Sequence, residues 1–263
     1  MFSKLYMVLV FIQQIEAAQV LINSAAALAT SLQKQFGILR FVSSEEMISG
    51  CESEVNDFLK PLQLLPDTQI SVRCGKINQL ADICDELDAS FLFLQLSDDN
   101  SKSIKNLLNA CRDLRIPYVL FKDTFQALDL TKVMLPIGFL EEELEKAQFA
   151  SAFGRFCNSE IKMLLANDYG SKAATNAEKM QTLFDKFDLK YTLDKASKDS
   201  FKVEQEAIQV AEKEQAGIII VSASRDYGLD DIIFGPKEFH VVKKSPIPVL
   251  LVNPRGDLYA LCD

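Results

Sequence analysis

Ala216-Gly217-Ile218-Ile219-Ile220-Val221 opens the stretch that decides the fold. Its residues are too β-branched to prefer helix and too continuously apolar to be half exposed, so the run reads as a buried parallel strand. A polar loop follows, Ser222-Ala223-Ser224-Arg225-Asp226-Tyr227-Gly228. Leu229, Ile232, Ile233, Phe239, Val241 and Val242 then supply apolar positions, interrupted by Gly235-Pro236. Ser245-Pro246-Ile247-Pro248 halts that segment before a second apolar run, Val249-Leu250-Leu251-Val252. Strand, loop, helix, Pro-marked turn and strand succeed one another, the unit from which parallel α/β sheets are built.

Upstream the same alternation extends to the N-terminus. In the first half, apolar or alternating runs predict strands over 5–11, 37–42, 68–73, 90–96 and 116–121, and helical periodicity fills 16–34, 44–59, 78–87 and 101–114 between them. In the second half, strands are predicted over 132–137, 161–166, 189–193, 216–221 and 249–252, and helices over 140–156, 172–187 and 201–214 plus the one that follows residue 228. Five strands thus alternate with four helices in each half. Ala18-Gln19 echoes Ala147-Gln148, residues 88–94 echo 215–221, and 116–120 echo 247–251, at offsets of 129, 127 and 131. A period this long means two copies of a domain, whereas solenoid units run to about 20–50 residues. The predicted domains are 1–122 and 131–255, joined by a linker over 123–130 in which residues 125–128 suggest a helical turn.

The frame after residue 216 resembles the end of a universal stress protein domain. That family closes on a buried strand, a loop of the form G-x2-G-x9-G-(S/T), a helix, and a strand of the Pro-x-Pro-Val-Leu-Val kind. The spacing fits without a gap, from Ser222 and Arg225 to Gly235-Pro236 and on to Pro246-Ile247-Pro248-Val249-Leu250-Leu251-Val252. Of the loop signature only Gly235 survives, because Ser222, Arg225 and Pro236 replace the other three positions. The resemblance implies an α/β chain of two tandem Rossmann-like domains, of the adenine nucleotide alpha hydrolase-like kind. Each would be a five-stranded parallel sheet of order 3-2-1-4-5 with helices on both faces.

Ligands of such sheets bind beyond the carboxyl ends of the strands, where the winding reverses, here between the first and fourth strands of each half. In the second half that places Pro136, Ile137 and Gly138 opposite Ser222, Ser224 and Arg225, with Gly235, Pro236 and Lys237 beside them. Nucleotide-binding members keep an acidic residue after the first strand and glycines that let backbone N–H groups approach phosphates. The acidic position falls on Gly138 in the second half and on about Ile12 in the first. The first half's loop, Ser97-Asp98-Asp99-Asn100-Ser101, has no glycine and two carboxylates that would repel a polyphosphate. No cofactor is therefore expected, and the alternative is an ATP- or AMP-binding sensor that uses the second-half crevice. A further alternative is a non-nucleotide metabolite in the same crevice.

Other motifs carry less. Asp226, Asp230 and Asp231 beside Glu238 suggest a Mg²⁺ site but read better as a solvated acidic face, since such sites lean on substrate oxygens. His240 stands between Phe239 and Val241 with no nucleophile elbow in the chain, so it reads as a packed or surface histidine and no catalytic residue is assigned. Gly170-Ser171-Lys172 lacks the full phosphate-loop pattern and reads as a helix start.

Composition sets the outer limits. A net charge of −9 opposes association with nucleic acid or anionic membrane. Cys51, Cys74, Cys84, Cys111, Cys157 and Cys262 are scattered, without a C-x-x-C and with a single His, which excludes a Cys/His metal site and suits reduced thiols in a cytoplasmic protein. Residues 1–18 imitate a signal peptide, but the apolar run over 5–12 falls far short of the about 20 residues needed to span a bilayer. The repeat needs a strand there. Both fifth strands are apolar and lie at sheet edges in the implied order, so the two halves are expected to pair through them as a pseudo-dimer, with a homodimer the alternative. The resulting expectation is a cytoplasmic, non-enzymatic binding or interaction protein of the stress response, with an unknown protein partner.

Overall fold

The apolar run near the N-terminus forms strand β1 (Met7–Phe11), and all five of its residues are buried. A strand buried on both faces has to lie inside a sheet covered on both sides. A computed structural model of the chain describes residues 6–62, 64–224 and 236–255, and the chain divides into two compact units, residues 1–127 and 128–263.

In the first unit β1 is followed by α1 (Gln19–Ser31), β2 (Gln35–Val42), α2 (Ile48–Leu59), β3 (Gln69–Cys74), α3 (Leu80–Glu86), β4 (Ala89–Leu96), α4 (Ser101–Ala110) and β5 (Tyr118–Lys122). The strands are parallel and ordered β3-β2-β1-β4-β5. Leu21, Ile22, Ala25, Leu28 and Ala29 give α1 the apolar stripe that packs on β1 and β2. β3, with Gln69, Ser71 and Arg73, is the polar edge.

The second unit runs β6 (Lys132–Ile137), α5 (Glu145–Phe156), β7 (Glu160–Leu165), α6 (Lys172–Lys186), β8 (Tyr191–Lys195), α7 (Val203–Glu214), β9 (Ile218–Ser222), α8 (Lys237–Lys244) and β10 (Val249–Val252). Its order is β8-β7-β6-β9-β10, again parallel, so it repeats the topology of the first unit. Here too the outer edge is polar: Thr192, Asp194 and Lys195 of β8 are exposed.

Several helix ends and strand starts differ by one to four residues from their predicted places, and one feature recurs at five of the turns. Gln33, Asp88, Asn158, Asp188 and Gln215 take left-handed backbone conformations, with φ between 51° and 56°, at the turn before β2, β4, β7, β8 and β9. Glycine normally marks such a helix stop; Asp, Asn and Gln do it here, so the stops carry a weaker signal. Gln33 and Asn158 hold matching places in the two units, as do Asp88 and Gln215, a backbone echo of the duplication.

The division of the chain falls within the predicted linker, which is anchored at Phe125 and Asp129. Phe125 is buried and its ring meets Phe121 at 5.5 Å, edge to face. The expected helical turn over 125–128 is absent: a turn at 123–124 leads into irregular chain. Asp129 seats against Gly217, where an added Cβ would lie 1.5 Å from the Asp129 carbonyl oxygen. Gly217→Ala is therefore expected to cost about 1–3 kcal/mol by forcing backbone apart. A lower urea midpoint with unchanged slope is the readout, and an unchanged midpoint would refute the contact.

No helix among the described residues is long and apolar enough to cross a membrane. Cys51, Cys84 and Cys111 are buried and in no disulfide, Cys74 is exposed, and burial pushes the Cys84 thiol up to about 12. Cys262 lies outside the described residues.

Candidate functional site

In the second unit the crevice between the ends of β6 and β9 is built around charged side chains that the chain itself supplies. After β6 comes Gly138, then a 3-10 turn (Glu141–Leu144) that carries Glu143, then the first turn of α5 with Lys146. Lys146 is wholly buried, and its Nζ donates to the carbonyl of Pro136 at 2.6 Å and to Glu143 Oε2 at 2.5 Å. The Gly138 N–H donates to the same carboxylate oxygen at 3.3 Å. From the start of α8, Lys237 Nζ lies 4.0 Å from Glu143 Oε1 and 3.3 Å from Glu204 Oε1 of α7. Glu238, fully buried, accepts from Ser224 N at 3.2 Å and from Ser224 Oγ at 2.8 Å.

The electrostatics follow from burial set against pairing. Burial opposes ionisation of Glu143, but the ammonium charges of Lys146 and Lys237, with hydrogen bonds from Lys146 and Gly138 N–H, outweigh it and hold the carboxyl below the ordinary range. Glu204 goes the other way. Burial, helped by the negative charge of Glu143, raises its carboxyl above the ordinary value despite Lys237. Burial would lower Lys237, yet the Glu204 and Glu143 carboxylates raise it. Three carboxylates against two ammonium groups leave this crevice no surplus of positive charge for a phosphate.

On the opposite side Ser200 ties three loops together. Its Oγ accepts from Phe139 N at 2.9 Å and donates to the Asp168 carboxylate, whose Oδ1 takes the Ser200 N–H at 2.9 Å. Asn176 Nδ2 donates to the Gly138 and Leu140 carbonyls at 3.0 and 2.8 Å. A Cβ at position 138 would come within 3.1 Å of Ser200 Oγ. The place where the resemblance puts an acidic side chain is therefore held by this latch.

Of the sequence-predicted positions, Pro136, Ile137, Gly138, Ser222, Ser224, Pro236 and Lys237 do gather at the ends of β6 and β9 and the start of α8, where Glu143 links Gly138 to Lys237. Arg225 and Gly235, with Asp226, Asp230, Asp231, Leu229, Ile232 and Ile233, lie outside the described residues. Lys237 faces carboxylates instead of open crevice. Glu238 is corrected: it is a buried partner of Ser224, not part of a solvated face. Ser222 is buried, and its Oγ has no hydrogen-bond partner among the described residues. His240 is half-buried, its ring 5.1 Å from that of Phe239. No grouping of His, Cys, Asp and Glu suited to a metal ion occurs among the described residues.

The first unit solves the same place differently. Gln95, the one polar residue late in β4 and fully buried, fills the junction. Its Oε1 accepts from Gln13 N at 2.7 Å and Gln14 N at 2.8 Å, and its Nε2 donates to the Gln14 carbonyl at 2.8 Å and to Asp123 Oδ1 at 3.0 Å. Asn100 caps α4 by accepting from Lys102 N and Ser103 N, both at 2.9 Å, so the helix-end amides are already engaged. A crevice of about 360 Å³ remains beside them, with Phe11 and Phe41 in its wall and Gln13, Lys76 and Asp98 among its polar groups.

Sequence reasoning passed over Glu143, Lys146, Glu204 and Gln95. A signal did exist: Lys146 stands in register with Ala150 and Phe153, and Glu204 with Ala207, Ile208 and Ala211, each at i+3, i+4 or i+7 spacing. A charge on an apolar stripe has to meet its partner inside.

No protein-family model matches the chain, and no curated protein does. Solved structures do. A universal stress protein from Archaeoglobus fulgidus DSM 4304 superposes with a TM-score of 0.72 over 95% of this chain and 97% of its own, at 14% identity. A putative universal stress protein from Pseudomonas aeruginosa UCBPP-PA14 gives 0.63 over 98% and 96%, at 13% identity. At such identities the likeness is one of fold.

Proposed function

We infer that this chain, which has the universal stress protein fold over nearly its whole length, is a non-enzymatic binding and interaction protein of a stress response, held in the cytoplasm, that works without nucleotide. One observation carries the reading: the second-unit crevice is filled by Glu143, Lys146 and Glu204, all buried, and by the half-buried Lys237, paired with one another. A polyphosphate entering there would face carboxylates and would have to break a buried ion pair. In the first unit, the engaged amides of α4 and the carboxylates of Asp98 and Asp99 oppose phosphate as well.

Calorimetry with ATP, ADP and AMP, with and without Mg²⁺, tests this on the full chain. No saturable heat is expected up to about millimolar nucleotide, a strength of roughly 4 kcal/mol. Micromolar binding that weakens in Arg225→Ala or Lys237→Ala would instead establish a nucleotide sensor built on Pro136, Ile137, Gly138, Ser222, Ser224, Arg225, Gly235, Pro236 and Lys237. That second reading draws on Ser222, whose buried hydroxyl has no partner among the described residues. Pairing of the two fifth strands is part of the proposal and rests on their apolar sequences; a monomer at the mass of one chain in sedimentation is its expected result, and a homodimer the competing one.

A further inference from the structure

On the β7 and β8 side of the second unit, away from the ion pairs, the loops that follow β6, β7 and β8 each present a large apolar side chain. Tyr169 and Phe201 are the most exposed large apolar residues of the described chain, at 109% and 80% of full exposure, and Leu140 is exposed at 39%. Phe139 packs its ring edge-on to Phe201 at 5.5 Å. The Ser200 latch described above binds these three loops to one another, so the display is built and not incidental: Phe139 N–H, Asp168 and Ser200 sit one residue from, or at, the displayed side chains. Beside them opens a pocket of about 350 Å³ lined by Phe139, Leu140, Lys172, Thr175 and Lys179, with Glu141 its one carboxylate. Lys172 and Lys179 are exposed and have no ion-pair partner among the described residues. Lys172 also stands in the first turn of α6, whose Ser171 makes no side-chain cap, so the positive end of a 15-residue helix adds to the two charges.

We propose that this surface docks an acidic peptide segment of a partner protein, with an aromatic or branched aliphatic anchor seated among Phe139, Leu140, Tyr169 and Phe201 and its carboxylates on Lys172 and Lys179. The chemistry selects this occupant over the others. A two-fold contact between copies of the chain would set the lysines of one patch against those of the other. An anionic membrane or a nucleic acid needs a denser cationic surface than two lysines on a chain of net charge −9. A pre-ordered aromatic surface lowers the entropy lost on docking, and aromatic anchors carry most of the energy of such contacts.

A random library of peptides about 12 residues long, displayed on phage and panned on the full chain, supplies the probe. The expected enrichment is in Asp and Glu together with Phe, Trp, Leu or Ile. A synthetic peptide from that set should lose about tenfold or more in affinity, by fluorescence anisotropy, against the Tyr169→Ser/Phe201→Ser double variant, and about tenfold against Lys172→Glu/Lys179→Glu, with thermal unfolding unchanged in both. These side chains are exposed, so neither variant is expected to impair folding. Failure to enrich, enrichment without acidic bias, or equal binding to both variants would overturn the proposal. So would tighter binding of an oligothymidylate or of phosphatidylserine vesicles than of the peptide, or self-association of the chain that the aromatic variant abolishes. Tyr169, Lys172, Lys179 and Phe201 are not among the crevice positions, so nucleotide binding found by calorimetry would leave this outcome standing.

Discussion

Lys146→Met lowers the free energy of unfolding by about 3–5 kcal/mol. Methionine fills nearly the space of the lysine stem, so packing is kept and the loss reports the ammonium group's charge and hydrogen bonds. It leaves the Glu143 carboxylate buried with only the more distant Lys237, and it strips the Pro136 carbonyl of its donor. The double variant Glu143→Gln/Lys146→Met, which buries no charge at this pair, should recover most of that loss, because a neutral pair escapes the desolvation cost.

The dependence on pH has a definite sign. The Glu143 carboxyl titrates below its ordinary value of 4.5 in the folded chain, so its contribution is present above that pH and is lost as pH falls through the folded value. Glu204 opposes it: its raised value means that its ionisation in the interior costs stability as pH climbs above 4.5. Lys237, raised above 10.5, contributes below that pH and loses its contribution only in stronger alkali. The gap between wild type and Lys146→Met should therefore narrow below about pH 4.5, where Glu143 no longer needs a cation. Urea titrations across that range decide it; a gap that stays constant with pH would mean that the loss comes from packing and the Pro136 hydrogen bond, not from the Glu143 charge.

Gln95→Leu is expected to cost about 2–4 kcal/mol. The leucine matches the volume but leaves the Gln13 and Gln14 N–H groups without their acceptor and the Gln14 carbonyl without its donor. A group left unmade costs about 1–3 kcal/mol where water is excluded, and water reaching the part-buried Gln13 and Gln14 groups offsets part of the sum. Gln95→Glu separates hydrogen bonding from charge. Its carboxylate still accepts from both N–H groups, yet it confronts the Gln14 carbonyl and the Asp123 carboxylate where an amide donated. Its deficit should shrink in acid, once the new carboxyl is protonated and can donate. A leucine variant as stable as wild type would show that the junction needs no amide.

Much of the architecture was legible because both periods are clean. The continuous apolar run of β1 and the apolar stripe of α1 mark a strand covered on both faces and a helix buried on one, and the offsets between the halves disclose the repeat. Element ends were less so. The turns before β8 and β9 stop at Asp188 and Gln215, where a weaker turn former and a residue with no left-handed preference stand in place of glycine, and the predicted strands start two residues early there. The crevice positions were legible as places, since the topology puts them at the reversal of winding. Their contents were not.

The amino-acid sequence by itself determined that this chain makes parallel α/β sheets twice over, and that its loop lacks the glycines a phosphate cradle needs, because periodicity and the steric demand for glycine are local properties. Only the tertiary structure decided what stands in the crevice instead. Lys146 and Glu143 are three residues apart and could pair on any exposed helix. Their meeting with Lys237 and Glu204, separated from them by 58 to 94 residues, depends on where β6, α7 and α8 come to rest, and the cost of burying charge makes that meeting obligatory.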